Sequence, residues 1–374
     1  MKKRICHIST VHAANDDRIF FKECLSLADA GYEVFLVIPG DSDKLVDGVR
    51  IKSVPRSKGR LSRLFTTQWK ALRRALKTRS AVYHFHDPEL MFLGVILKIM
   101  GKKVVYDVHE DLPKQVLYKP WIPSAVLRKM LSGLIYVFEQ FACLFFDGIV
   151  AVTDDIARKY KASKAIILRN LPILALTETD SQAADSEDAK TIFIYAGGLT
   201  AIRGIKEICE AMAAHKDRAE LWLLGAWESD AYRQECLKAG SESYIRYLGF
   251  KPMPEVYRHI HQADVGIAML YPIKNYLTSL PVKAFEYMAQ GKALLMSDFA
   301  YWQEVFKGAA LFARANEVRD IADKMGMFIE QKELRKRMGA YGRKRVEEEL
   351  NWEKEVEKLF SLYNRILGDA DKKD

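Results

Sequence analysis

Short unbroken apolar runs alternate along the chain with longer stretches in which apolar residues recur every three to four positions. Residues 4–10 read as a strand, 20–30 as a helix, and 33–39 as a strand after Gly31 stops that helix. Residues 81–86, 90–100 and 103–108 repeat strand, helix and strand. Residues 112–146 read as a long helical excursion opened by Pro113, Pro120 and Pro123, and 148–152 and 165–168 as two further strands. This rhythm predicts a parallel sheet with helices on both faces.

The pattern breaks at 177–190, where TETDSQAADSEDAK is acidic, small and free of aromatics. It reads as a linker. The rhythm then restarts, with strands at 191–196, 220–224, 245–248, 265–270 and 293–297, and helices at 204–214, 231–239 and 282–290. The expected organisation is a first domain over 1–172, a linker over 173–190 and a second domain over 191–350. A last helix within 351–374 carries Trp352, Val356, Leu359, Phe360, Tyr363 and Leu367 in one stripe, which predicts that it packs back on the first domain. Two doubly wound, Rossmann-like α/β domains put a ligand cleft at the carboxyl ends of their sheets.

Composition narrows the class. With 374 residues, 49% hydrophobic and 29% charged, disorder and fibrous repeats are excluded. Five scattered cysteines, with no CxxC pair, predict reduced thiols and a cytoplasmic setting. The apolar run after Lys2-Lys3-Arg4 is broken at His7 and again at Asp16-Asp17-Arg18, so it reads as a strand, not a secretory signal. The most apolar stretch, 130–153, contains Glu139, Gln140 and Asp147 and predicts no membrane span.

Charge adds a partner. Residues 1–170 hold 29 Lys and Arg against 17 Asp and Glu, a net of +12. Residues 48–86 hold eleven basic residues and no acidic one. Within them Leu61, Phe65, Trp69, Leu72 and Leu76 recur at helical spacing, with Arg63, Lys70, Arg73, Arg74 and Lys77 between. A basic amphipathic helix with an aromatic anchor suits an anionic membrane surface. Trp121, Tyr118, Lys114, Lys119, Arg128 and Lys129 extend that expectation to the 112–146 excursion. The alternative is a core-facing helix with a solvated basic face. No nucleic-acid motif is present.

Candidate chemistry clusters at the predicted strand ends. GGLTAIRG holds Gly197, Gly198 and Arg203 between a strand and a helix, where backbone N–H groups and a cation can receive a diphosphate. His12, Asp16 and Arg18 follow the first strand, and His86-Asp87 and His109-Glu110 follow two others. Asp41-Ser42-Asp43 is a D-x-D, but it sits in a turn before any second sheet and is not expected to hold a metal.

These stretches resemble the family-4 glycosyltransferases of the GT-B fold, whose two Rossmann-like domains face a central cleft. IYAGGLTAIRGIKEICEAM, YLGFKPMPEVY and NYLTSLPVKAFEYMAQGKALLMSD match their C-terminal domain. STVHAANDDRIFFKECLSLADAGYEV, HFHDPEL, VVYDVHEDLP and RMGAYGRKRVEEELNWEKEVEKLFSLY match a bacterial branch of the family. The resemblance implies transfer of a sugar from a nucleotide sugar, a UDP-sugar by preference, with retention of configuration and with neither metal nor cofactor. It implies a glycan acceptor, lipid-linked through a polyprenyl diphosphate, in bacterial surface polysaccharide synthesis at the cytoplasmic face of the membrane.

Residue by residue, Glu286 matches the family carboxylate that accepts the ribose hydroxyls. His109 matches the histidine facing the donor sugar and phosphate, and Gly249-Phe250-Lys251 the turn that holds the base. Arg203 stands where the family has Lys, and Gly198 where it has Arg, which leaves Lys283 to supply the second cation. Thr278 replaces the family's first Glu, so Asn275, Thr278 and Ser279 are left to offer neutral hydrogen bonds to the sugar. Catalysis is therefore expected of His109, Arg203 and Lys283, and acceptor contact of His12, Asp16, Arg18, His86, Asp87 and Glu110. A nucleotide-sugar 2-epimerase of the same fold and a non-catalytic surface-binding protein remain as alternatives.

Overall fold

The computed structural model describes residues 2–57, 59, 66–119, 122–174, 190–273 and 276–368. Lys58, Arg60, Leu61, Arg63, Phe65, Trp121, Asn275 and all but the last residue of the acidic 177–190 stretch lie outside the described residues. The described chain forms two compact units. One runs to Asn170 and takes in the segment from Lys354, and the other is Leu171–Glu353.

The first unit is built on β1 (Arg4–Ile8), β2 (Glu33–Pro39), β3 (Lys44–Val46), β4 (Val49–Val54), β5 (Val82–Phe85), β6 (Lys103–Val108), β7 (Gly148–Ala151) and β8 (Ala165–Ile167). Their order is β3-β4-β2-β1-β5-β6-β7-β8, parallel throughout except for β3 against β4. All four residues of β5 and of β7 are buried. Strands covered on both faces read as continuous apolar runs, which is why they stand out in the sequence.

The β3–β4 hairpin was not among the expected elements. Its turn is Asp47-Gly48, with φ of 45° and 81°, a local signal for a tight hairpin. Strand β4 reads V-R-I-K-S-V, burying Val49, Ile51 and Val54 while Arg50 and Lys52 point outward. Those two cations are engaged, Arg50 with Glu33 at 3.3 Å and Lys52 with Asp43 at 3.0 Å. Asp43, the second carboxylate of the D-x-D, also accepts from the Ser53 N–H and from Arg74. The basic stretch is thus partly a sheet edge.

The basic helix spans Gln68–Lys77 among the described residues. Ala71, Leu72 and Ala75 join the core of the unit, so the helix faces inward with its basic side solvated. Trp69 is off that face and 44% exposed. The expected 112–146 excursion is two helices, Leu112–Val116 and Ala125–Phe145. The expected last helix is broken after Trp352–Glu355 and resumes as Glu357–Gly368. Its Leu362 and Ile366 side chains lie where a Cβ on Gly148 would stand, 2.9 and 3.1 Å away, so the glycine lets the helix close on β7.

The second unit has β9 (Thr191–Ala196), β10 (Ala219–Leu224), β11 (Ile245–Gly249), β12 (Val265–Ala268), β13 (Ala293–Ser297) and β14 (Ala310–Ala313). The order is β11-β10-β9-β12-β13-β14, all parallel. Leu171, expected with the first domain, packs in this unit's core, and the Trp352 N–H donates to the Pro172 carbonyl. The short edge strand β14 was also unexpected.

Candidate active site

In the second unit the site is built around the end of β9. Its Gly197 has φ +135° and donates its N–H to Leu224 at 2.9 Å. A Cβ on the adjacent Gly225 would collide with the Gly197 carbonyl oxygen, so the two strand ends approach as only glycine permits. The helix expected at 204 starts one residue later. A tight turn at Ala201–Arg203 intervenes, Gly204 caps with φ +63°, and the helix is Ile205–Met212. Gly197-Gly198 therefore does not itself open the helix. What the turn does is bring Arg203 back, its Nη1 donating to the Gly198 carbonyl at 3.0 Å.

Lys283 arrives from the Val282–Ala289 helix. Its Nζ lies 3.6 Å from the centre of the Tyr195 ring and 2.8 Å from where a Cβ on Gly197 would be. That nitrogen is buried and has no hydrogen-bond partner among the described residues. Burial first, and then the charge of Arg203, push the Lys283 ammonium well below the usual lysine range, while Glu286 opposes the shift. An ammonium desolvated without a full counter-charge is costly. Two cations and a Cβ-less turn form a cradle for an anion. Glu286, almost one helical turn beyond Lys283, is partly exposed and receives the Tyr257 hydroxyl at 3.4 Å. Tyr287 of the same helix accepts the Ala196 N–H at 2.9 Å, fixing the helix to the end of β9.

The remaining residues expected on the donor side are more open. Phe250 is 80% exposed, and Lys251 pairs with Glu255 at 3.4 Å. They follow β11, next in the sheet to β10. Thr278 is exposed, whereas Ser279 is used locally: its hydroxyl donates to the Tyr276 carbonyl and its own carbonyl accepts from Trp302.

The first unit has a different kind of site. The strand-end residues do converge, but three of those expected to face the acceptor are buried. Arg18 makes a two-pronged contact with Asp107 at 3.1 Å, donates to the Leu168 carbonyl at 2.9 Å, and stands 3.0 Å from Glu23. Asp87 accepts from the hydroxyls of Ser9 and Thr10 and from the Thr10 N–H. It is buried and pins the loop after β1. His86 is 1% exposed. The groups that do reach the surface are His12, Asp16, His109 and Glu110. His12 Nδ1 lies 2.8 Å from Asp16. That hydrogen bond raises the His12 pKa. Burial alone would raise the Asp16 carboxyl, but His12 and the Ile19 N–H bring it to about 2. A pocket of about 630 Å³ opens beside this pair, lined by His12, Asn15, Phe21, Asp41, Lys44 and Arg56 among others.

Sequence reasoning missed what lies beneath. His7 and His84 face each other across β1 and β5, and His86, two residues on, shares their face. His7 Nδ1 is 2.9 Å from His86 Nε2, and His86 Nδ1 is 3.3 Å from His109 Nε2. Tyr363, from the returning C-terminal helix, lies 2.7 Å from His84 Nδ1. Burial holds His7, His84 and His86 below the usual histidine range and pushes Glu23 up. Burial alone would raise Asp107, but Arg18 and then His109 hold it well below the carboxylate range. His7, Glu23, His84 and His86 each bring one ligand atom within 4.8 Å of the others, a donor set that fits a divalent cation. His7 and His86 already contact each other and Arg18 stands on the same carboxylate, while the Glu23 oxygens have no hydrogen-bond partner among the described residues. The readable signal was histidine at alternate strand positions 84 and 86, on the strand beside His7.

Comparison with known proteins identifies the family. The model for glycosyl transferases group 1 matches residues 177–345, and the model for glycosyltransferase family 4 matches residues 21–166. The chain belongs to the family-4 glycosyltransferases. A curated relative from Campylobacter jejuni is N,N'-diacetylbacillosaminyl-diphospho-undecaprenol alpha-1,3-N-acetylgalactosaminyltransferase. It is 23% identical over 186 residues, spanning 48% of this chain and 46% of the relative. The chain therefore spans under half the length of that curated relative. Sucrose-phosphate synthase from Thermosynechococcus elongatus superposes with a TM-score of 0.77 at 17% identity, over 98% of this chain and 100% of that one. Anabaena HepE, solved with UDP and glucose, superposes at 0.74 and 12% identity over 97% and 100%. These likenesses establish the GT-B fold of this family-4 glycosyltransferase.

Proposed function

We propose that this family-4 enzyme moves a sugar from a UDP-sugar to a glycan carried on a polyprenyl diphosphate, with retention, in bacterial surface polysaccharide synthesis. The observation that carries the donor half is Lys283 Nζ, buried beside Arg203 at the Gly197-Gly198 turn with no hydrogen-bond partner among the described residues. A nucleoside diphosphate supplies the missing negative charge. Anabaena HepE binds UDP, and the Campylobacter relative is named for an undecaprenol-diphosphate acceptor. Those two proteins support the choice of base and of acceptor class.

Each residue then has a role. Arg203 and Lys283 neutralise the diphosphate as the sugar leaves, charge stabilisation of the kind that dominates such reactions. Glu286 accepts the ribose hydroxyls, Gly249-Phe250-Lys251 borders the base, and Thr278 and Ser279 border the sugar. His109 steadies charge at the sugar and its phosphate, and His12, Asp16 and Glu110 receive the acceptor. The acceptor oxygen bonds to the anomeric carbon on the face the phosphate leaves. The C–O bond to phosphate breaks with its electron pair on the phosphate, and the acceptor proton passes to that phosphate. Two side-chain cations carry the charge role, so this reading calls for no metal. The acceptor locates the enzyme at the cytoplasmic face of the membrane, peripherally.

The test is a panel of nucleotide sugars with a polyprenyl-diphosphate glycan in detergent, read by mass spectrometry with and without a chelator, the product anomer being assigned by NMR. A single UDP-sugar transferred with retention, insensitive to chelator, is the expected result. A new sugar nucleotide formed without acceptor would instead identify an epimerase.

A further inference from the structure

The Ala125–Phe145 helix has 21 residues, about 31 Å at 1.5 Å each. Glu139, Ala142 and Cys143 are its buried residues, and Glu139 receives the Tyr160 hydroxyl at 2.7 Å. The opposite side is apolar and bare. Val126, Met130, Leu134, Val137, Phe141 and Leu144 follow one another at steps of four and three and are 52–68% exposed. Such steps trace one stripe along a helix. No charged residue interrupts it. The neighbouring Met91–Ile99 helix packs alongside and exposes Phe92 and Ile99, the latter 81%. A monomer in water does not ordinarily leave so long an apolar patch uncovered.

Charge points to the occupant. The first 170 residues carry +12, and Arg128 and Lys129 flank the start of the stripe. A second copy would bring two strongly cationic units together, whereas an anionic bilayer complements them. The stripe cannot become a span: no described helix is long and apolar enough to cross a membrane. On the Gln68–Lys77 helix, by contrast, the apolar face is spent on the core, and only Trp69 remains outside.

We propose that the Ala125–Phe145 helix lies flat in the headgroup region of an anionic bilayer and is the docking element, in place of the Gln68–Lys77 helix. The proposal deepens the lipid-linked reading and rests on it for its purpose. Apolar side chains enter the interface and the surrounding cations hold the surface, so binding should weaken with salt without vanishing.

The experiment is co-sedimentation of the full chain with phosphatidylcholine–phosphatidylglycerol vesicles against pure phosphatidylcholine. The wild type should pellet with the mixed vesicles and keep part of that binding at high salt. The combined variant Leu134→Glu, Val137→Glu and Phe141→Glu changes only exposed positions. It should partition about tenfold less or weaker still, with an unchanged melting temperature. Reversing Lys70, Arg73 and Lys77 to Glu should cost less than that. If the basic reversal abolishes pelleting and the apolar variant does not, the proposal is overturned. It is also overturned if vesicles are ignored and the wild type is a dimer that the apolar variant dissociates. Transfer to a detergent-held polyprenyl acceptor without vesicle binding would sink the docking and leave the acceptor reading standing. Vesicle binding with transfer only to a soluble glycan would do the reverse.

Discussion

The two units are both parallel α/β layers with polar residues at their strand ends, yet they use those residues in opposite ways. In the first, Arg18, Asp107, Glu23 and three histidines are buried against one another, and most of their charge is answered internally. In the second, Lys283 Nζ is buried beside another cation and over the Tyr195 ring, with no hydrogen-bond partner among the described residues. Arg18 and Asp107 answer each other in the first network, although the Glu23 oxygens and His84 Nε2 have no hydrogen-bond partner among the described residues. What separates the units is the sign of the neighbour: Glu23 stands 3.0 Å from the Arg18 guanidinium, whereas Lys283 stands beside a second cation, where an anion is wanted. Polar residues at a strand end therefore do not by themselves identify a contact with substrate. The balance of charge around them says more.

The largest test of that contrast is to break the network. Asp107→Ala removes the two-pronged partner of the buried Arg18 guanidinium and leaves only Glu23 beside it, which should cost about 3 kcal/mol. Denaturant unfolding of the isolated variant should show it, and any folded remainder should still bind nucleotide. Normal stability would mean that the pair is not holding the unit together.

Acid probes the same network. His7, His84 and His86 are held neutral by burial, so the unfolded chain binds their protons first and stability falls as pH drops below about 6.5. Glu23, pushed up, is protonated early in the fold and offsets one of the three. The net slope approaches about 3 kcal/mol per pH unit at its limit, at 1.4 for each proton. Asp16 acts later, since its stabilisation is present above the ordinary carboxylate range and is lost only as pH falls through about 2. Melting curves from pH 7.5 to about 5 check the sign. A stability that holds flat would show that the histidines titrate freely.

In the second unit, Lys283→Ala and Arg203→Ala should each slow transfer by about 10²-fold or more. Lys283→Met sharpens the comparison: it should raise the melting temperature of the free protein, because it removes the unpaired charge, while erasing stabilisation by UDP. A variant that melts lower and still responds to UDP would place the phosphate elsewhere.

The smallest expected effect is Glu286→Ala. Losing a charged acceptor for the ribose hydroxyls is worth roughly 1.5–3 kcal/mol, about 10- to 100-fold in affinity. Calorimetry with UDP against the free diphosphate tells whether the loss belongs to the ribose, since pyrophosphate binding should not change.

Much of this was legible in the chain. Buried parallel strands are unbroken apolar runs, so β2, β5, β6, β9 and β13 could be read directly. The glycines at 197 and 198 marked the turn, and Arg203 and Lys283 could be named before any coordinate. Short or amphipathic edge strands were not legible. Strand β4 carries Arg50 and Lys52 on its solvent side and was absorbed into a charge run, and β14 is only four residues long. The basic helix misled for a related reason. Periodicity shows that a helix has an apolar face, but not whether a core has already taken it.

The sequence alone determined the fold class, through strand periodicity, and pointed to the family, through the resemblance of its motifs, because both are local properties that survive without knowledge of neighbours. Only the tertiary structure decided which polar side chains are spent. Arg18 looks like His12 in the sequence, at the same strand end and in the same motif, but Asp107 arrives from 89 positions away to bury it. Lys283 and Arg203 are 80 residues apart, and they meet only because the Val282–Ala289 helix packs against the end of β9. The apolar stripe of the Ala125–Phe145 helix is likewise exposed only because Glu139, Ala142 and Cys143 were the face the core could cover. Satisfaction and burial depend on what else arrives, and that information is spread across the whole chain.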